Sequence, residues 1–108
     1  MTFVIPKPVA NYLNADKSGD PNRIGLCFAE DATVHDENAD YRGRDAIREW
    51  KRETQGKYQY DVEPLEVTVD GPIVTLRARL EGNFPGSPAE LVYAFTLAND
   101  LIASLEIQ

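Results

Sequence analysis

The chain has one cysteine and one histidine among its 108 residues. A lone cysteine closes no internal disulfide, and the pair falls short of the ligand set that a structural zinc site takes. Neither a bound metal nor a cofactor is expected. Basic residues are also scarce: 11 Lys and Arg stand against 18 Asp and Glu, a formal net charge of −7. A surface that acidic repels phosphate backbones and anionic lipid heads, and no Lys/Arg run reverses it locally, so nucleic acid and membrane surfaces are not expected as partners. No stretch is long and apolar enough to span a bilayer, and the start Val4-Ile5-Pro6-Lys7-Pro8 is proline-broken too early for an export signal. A reduced thiol and a cytoplasmic location are the expectation. Phosphate-cradling glycine loops, nucleophile elbows and paired-cysteine motifs are missing as well.

What is present, 43% hydrophobic and 27% charged residues, is the composition of one soluble globular domain covering residues 1–108. Val9, Tyr12 and Leu13 follow Pro8 at helical spacing, so residues 8–18 form an amphipathic helix that ends at Ser18-Gly19. Asp20-Pro21 reads as a cap and first-turn proline, with Ile24, Cys27 and Phe28 on the inner side of a second short helix. Ala32 to Asp36 reads as a strand, Tyr41-Arg42 as another, and a third helix runs from about Arg44 to Thr54 with Ile47 and Trp50 inward. Past a break at Gln55-Gly56 the period changes from 3.6 to 2. The inward parity then switches at Glu63-Pro64, which predicts a β-bulge there. A turn at Asp70-Gly71, strands Ile73–Glu81, Glu90–Ala98 and Leu101–Ile107, and a turn-rich segment from Gly82 to Pro88 complete an α+β arrangement.

The runs Phe28-Ala29-Glu30-Asp31-Ala32-Thr33-Val34-His35-Asp36 and Tyr41-Arg42-Gly43-Arg44-Asp45-Ala46-Ile47-Arg48-Glu49-Trp50, with Phe84-Pro85-Gly86-Ser87-Pro88 late in the chain, carry a family resemblance. They resemble the SnoaL-like and steroid Δ-isomerase branch of the nuclear transport factor 2-like superfamily. The resemblance implies a cystatin-like roll: a strongly bent, mostly antiparallel sheet wrapped as a cone around the N-terminal helices, with a pocket at the wide end. It also implies a homodimer through the outer sheet face, where Arg77 and Arg79 stand on one side of a strand, although alternation alone predicts a solvated face equally well. Isomerases, cyclases, hydrolases and plain binding modules share this fold, so activity has to be argued from the site.

Matched to the isomerase pattern, Asp36 takes the place of the general base, Tyr12 that of the oxyanion-binding phenol, and Tyr93 that of the protonated acid. A carboxylate suits proton abstraction beside a carbonyl because it can accept a proton and return it to a neighbouring carbon. On residue pattern alone, Asp36 remains open between that role and an ordinary strand-end acid, and both phenols between donors and core aromatics. Tyr93 in place of an acid puts steroid isomerisation itself in doubt. His35 is a reserve acid–base residue that alternation turns away from Asp36. Trp50, Phe28, Val34 and Phe95 are expected to line an apolar pocket for a small hydrophobic or carbonyl-bearing molecule, and Cys27 to be an inert thiol. The competing expectation is a non-catalytic ligand-binding or dimerising module built on the same positions.

Overall fold

The computed structural model describes residues 4–108. Helix α1 (Lys7–Ser18) buries Pro8, Val9, Tyr12 and Ala15 and ends at Gly19, whose φ of 76° is the left-handed conformation a helix stop requires. Helix α2 (Pro21–Leu26) starts under the Asp20 carboxylate, which accepts the Asn22 amide at 2.9 Å. Strands β1 (Phe28–Asp36) and β2 (Ala39–Arg42) follow, then α3 (Arg44–Lys57) and strands β3 (Tyr60–Asp70), β4 (Ile73–Gly82), β5 (Ala89–Ala98) and β6 (Leu101–Ile107). They form one open six-stranded sheet in the order β2-β1-β6-β5-β4-β3. Only β1 and β6 run parallel; the other neighbours are antiparallel.

The α+β class with N-terminal helices on one face of a bent sheet is as expected. Inward residues Val74, Leu76, Ala78 and Leu80 of β4 are buried, with Phe95, Ile102 and Leu105, against Val9, Tyr12, Ile24 and Ile47 of the helices. Arg77 and Arg79 lie on the opposite face and pair with Glu90 at 2.7 Å and Glu81 at 3.5 Å. No helix among the described residues is long and apolar enough to cross a membrane.

Three local expectations are corrected. Phe28 opens β1 rather than closing the second helix, because that helix stops at Leu26 and the chain at once pairs with Ile102 of β6. Helix α3 runs through Gly56 to Lys57: a glycine in a final turn leaves few later hydrogen bonds to weaken, and Tyr58 N still donates to Thr54 O. The bulge lies one residue beyond the expected place. Pro64 faces Ala78 and Glu66 faces Arg77, so Leu65 is the extra residue. The turns Glu37-Asn38 and Asn99-Asp100 have positive φ at both positions, the paired left-handed geometry that matches strand twist in a two-residue hairpin.

His35 faces Asp40 across β1 and β2, its Nδ1 2.6 Å from Oδ1, on an exposed surface turned away from the site. The hydrogen bond to Asp40, more than the surrounding acids, raises the imidazole above its ordinary 6.5. The pair therefore contributes fully below pH 6.5 and is lost as pH rises through the raised value. An NMR titration is expected to give a His35 midpoint above 6.5 that falls in Asp40→Asn; a midpoint at or below 6.5 would contradict this.

Candidate functional site

A cavity of about 320 Å³ opens between α3, the ends of the central strands and the β4–β5 connection. Its wall is made largely by strand ends: Asp36 closes β1, Tyr60 opens β3, Leu80 lies near the end of β4, Leu91 near the start of β5, and Ile107 ends β6. Strand middles are covered by helices. That explains a further correction: Phe28, Val34 and Phe95 point inward as alternation required, yet all three are completely buried and none lines the cavity. They form the layer beneath it.

Asp36 is carried on the inward parity of Ala32 and Val34, and reaches the wall because β1 ends there. Its Oδ2 accepts the Trp50 indole N–H at 3.0 Å, which holds the carboxylate on the wall. Trp50 is held on α3, one turn beyond Ile47, with the Tyr41 ring 6.0 Å away. Tyr93 reaches the wall from β5, stacked on Phe95 at 6.1 Å and 12°. Burial, then the charge of neighbours including Tyr60, Asp16 and Asp36, pushes the Tyr93 phenol well above its ordinary range. It is a hydrogen-bond donor at any physiological pH.

Tyr12 belongs to the next layer down. Its ring meets Phe28, Phe95 and Tyr93 edge-on at 5.9, 5.5 and 6.5 Å, and it does not line the cavity. Its buried hydroxyl has no partner among the described residues. A buried donor without a partner is destabilising, so Tyr12→Phe is expected to be neutral or stabilising by up to about 1 kcal/mol in urea denaturation. A loss of that size would mean the hydroxyl has a partner. His35 lies on the far face and does not approach the cavity.

The sequence reading missed the cluster at the cavity floor. Lys51 Nζ donates to Asp16 Oδ1 at 2.8 Å and to Tyr60 Oη at 3.2 Å, and Tyr60 Oη in turn donates to Asp16 Oδ1 at 3.2 Å. The Lys51 and Asp16 side chains are 3% and 6% exposed, so this ion pair is nearly dry. The ammonium also lies 4.5 Å from the Trp50 ring centroid and 5.2 Å from that of Tyr12. Both charges sit on apolar stripes, Asp16 four residues after Tyr12 and Lys51 four after Ile47. A charge at such a position was the available signal. Cys27 is half-buried and donates to the Arg23 carbonyl at 3.4 Å; burial raises its thiol, which keeps it protonated and unreactive.

A SnoaL-like domain model matches residues 9–105. A candidate polyketide cyclase of known structure from Sinorhizobium meliloti is 43% identical, with a TM-score of 0.92 over 96% of this chain and 95% of that one. A protein of ketosteroid isomerase-like fold from Catenulispora acidiphila DSM 44928, in complex with trimethylamine, is 25% identical (TM-score 0.86, 97% and 86% covered). The epoxide hydrolase/cyclase-like enzyme SalBIII of pyran ring formation in salinomycin is 26% identical (TM-score 0.79, 93% and 85% covered). No curated protein matches.

Proposed function

This chain belongs to the SnoaL-like domain family, and on that premise we propose that it is an isomerase- or cyclase-type enzyme that moves a proton beside a carbonyl group. The observation that carries this reading is the Asp36 carboxylate, anchored by Trp50 at 3.0 Å on the wall of a cavity sized for a small organic molecule.

Asp36 takes a proton from the carbon next to the carbonyl. The C–H electron pair becomes a carbon–carbon π bond, and the carbonyl π pair moves onto oxygen, where the Tyr93 O–H donates to it. Returning the proton to a different carbon isomerises the substrate. Attack of the enolate carbon on a second carbonyl of the same molecule closes a ring, and the proton goes to the new alkoxide. One well-aimed donor lowers such a barrier by roughly 2.7–4 kcal/mol. Tyr12, expected to be the donor, lies behind Tyr93 and supports it. The cyclase and cyclase-like neighbours, at 43% and 26% identity, favour ring closure among these outcomes.

The test is solvent-deuterium exchange into the α-position of a panel of ketones and diketones, followed by NMR. Exchange by the native protein is expected to slow about 10²–10⁴-fold in Asp36→Asn. A second reading, a binding module without turnover, is favoured by the trimethylamine-bound neighbour and by the aromatic and acidic wall of Trp50, Tyr41, Glu37 and Glu53. Quenching of Trp50, the single tryptophan, by trimethylammonium with no exchange of any ketone would establish that reading and overturn the enzyme.

A further inference from the structure

Proton abstraction moves a negative charge across the cavity, from the carboxylate that receives the proton to the oxygen that receives the electrons. A neutral phenol meets that charge with a dipole only. The cavity wall also contains two lysines: Lys57, which is exposed, and Lys51, which is 2% exposed and belongs to no surface network. An ammonium has three N–H groups. Asp16 Oδ1 and Tyr60 Oη accept two of them, and among the described residues no third oxygen acceptor is within reach. The remaining neighbours of the head group are aromatic faces.

We infer that Lys51 is a second oxyanion donor of this pocket, held in place by Asp16 and Tyr60 and directing its remaining N–H to the oxygen that becomes negative. The inference rests on the proton-transfer reading of Asp36 and deepens it. Lys51 would stand beside Tyr93 as the second donor, the role expected of Tyr12, which does not line the cavity. The electrostatics are consistent at every stage. With substrate neutral, Asp36 is charged and the Lys51–Asp16 pair is balanced. Once the proton has moved, Asp36 is neutral, the oxygen is charged, and the pocket's net charge is unchanged. A dry ion pair is costly to build for stability alone, since apolar residues of similar volume often serve as well or better. Its position on the wall, rather than deep in the core, gives it a reason to be there. The substrate class that follows is one that gathers its negative charge on a single oxygen, such as a simple or aryl ketone that passes through its enolate.

The probes are 4-nitrophenol, whose phenolate imitates a planar enolate, and nitrobenzene, which has the same ring without the oxygen. Asp36→Asn stands for the base after it has taken the proton. Calorimetric affinities in Asp36→Asn are compared with those in Asp36→Asn carrying Asp16→Asn and Lys51→Met, which removes both buried charges together and so leaves none unpaired; circular dichroism checks the fold. Loss of the pair is expected to weaken 4-nitrophenolate about tenfold to a hundredfold, with nitrobenzene affinity essentially unchanged. Equal phenolate affinity in the two proteins would overturn the assignment. A parallel loss of nitrobenzene would also overturn it, because the pair would then be holding the cavity open. If neither ligand binds Asp36→Asn with Lys51 in place, the pocket reading itself fails.

Discussion

Lys51→Met is expected to lower folding stability by roughly 3–5 kcal/mol, the effect of removing one partner of a buried ion pair. Methionine matches the length and most of the volume of lysine, so the packing of the stem against Trp50 and Tyr12 survives. What is lost is the one cation that pairs with Asp16 among the described residues; the Asp16 side chain is 6% exposed and there keeps the Tyr60 hydroxyl as a donor. A domain of this size is stable by about 5–15 kcal/mol in total, so the variant stands near its unfolding threshold. Adding Asp16→Asn is expected to return most of the loss, because the uncompensated charge disappears. Urea denaturation of both variants reads this directly. A loss below about 1 kcal/mol in Lys51→Met would place the pair in the class of solvent-screened surface bridges and contradict its burial.

The second large effect appears in alkali. Tyr12, Tyr60 and Tyr93 are all held above the ordinary phenol value of 10.0, in each case chiefly because burial disfavours the phenolate. Carboxylates nearby act in the same direction: the charge of Asp16 raises all three, and Tyr60 also donates a hydrogen bond to it. The folded values exceed the unfolded ones, so the stability these phenols contribute is fully present below pH 10 and is withdrawn as pH rises above it. Each adds about 1.4 kcal/mol of loss per pH unit. With three acting together, alkaline unfolding is expected to be steep. Urea midpoints measured from pH 8 upward should hold level to about pH 10 and then fall sharply, with the phenolate absorbance of these three of the five tyrosines appearing only as the fold is lost. Tyr12→Phe should flatten the fall by one proton. Absorbance from more than two phenolates in folded protein above pH 10 would show these rings to be accessible.

The sheet was largely legible because alternation is a strong constraint where one face is buried. Val74, Leu76, Ala78 and Leu80 could face only inward, and a parity switch near Pro64 could mean only a bulge. Boundaries were less so, as at Phe28 and Gly56, where tertiary pairing with Ile102 and a last turn that continues past the glycine decided the matter. The site was half legible. Asp36 and Trp50 fell on inward positions near element ends, and the structure joins them by a hydrogen bond. Phe28, Val34 and Phe95 shared that parity, but parity does not tell a wall from a core; depth along the strand does. Asp16 and Lys51 escaped notice because charged residues at helical positions read as solvated until their partners are known, and Tyr60, at the start of β3, joins them only in the fold. The partners come from 35 and 44 residues apart in sequence.

A wall built from strand ends has a consequence for how such a chain can change. Substituting Leu91 or Ile107, both only partly buried, re-lines the cavity while the strand middles, which carry the core, keep their packing. Cavity shape and foldability are thus largely decoupled along each strand. The lining can change by small sequence steps that do not threaten the scaffold, and the two ends of one β-strand can be under different selection.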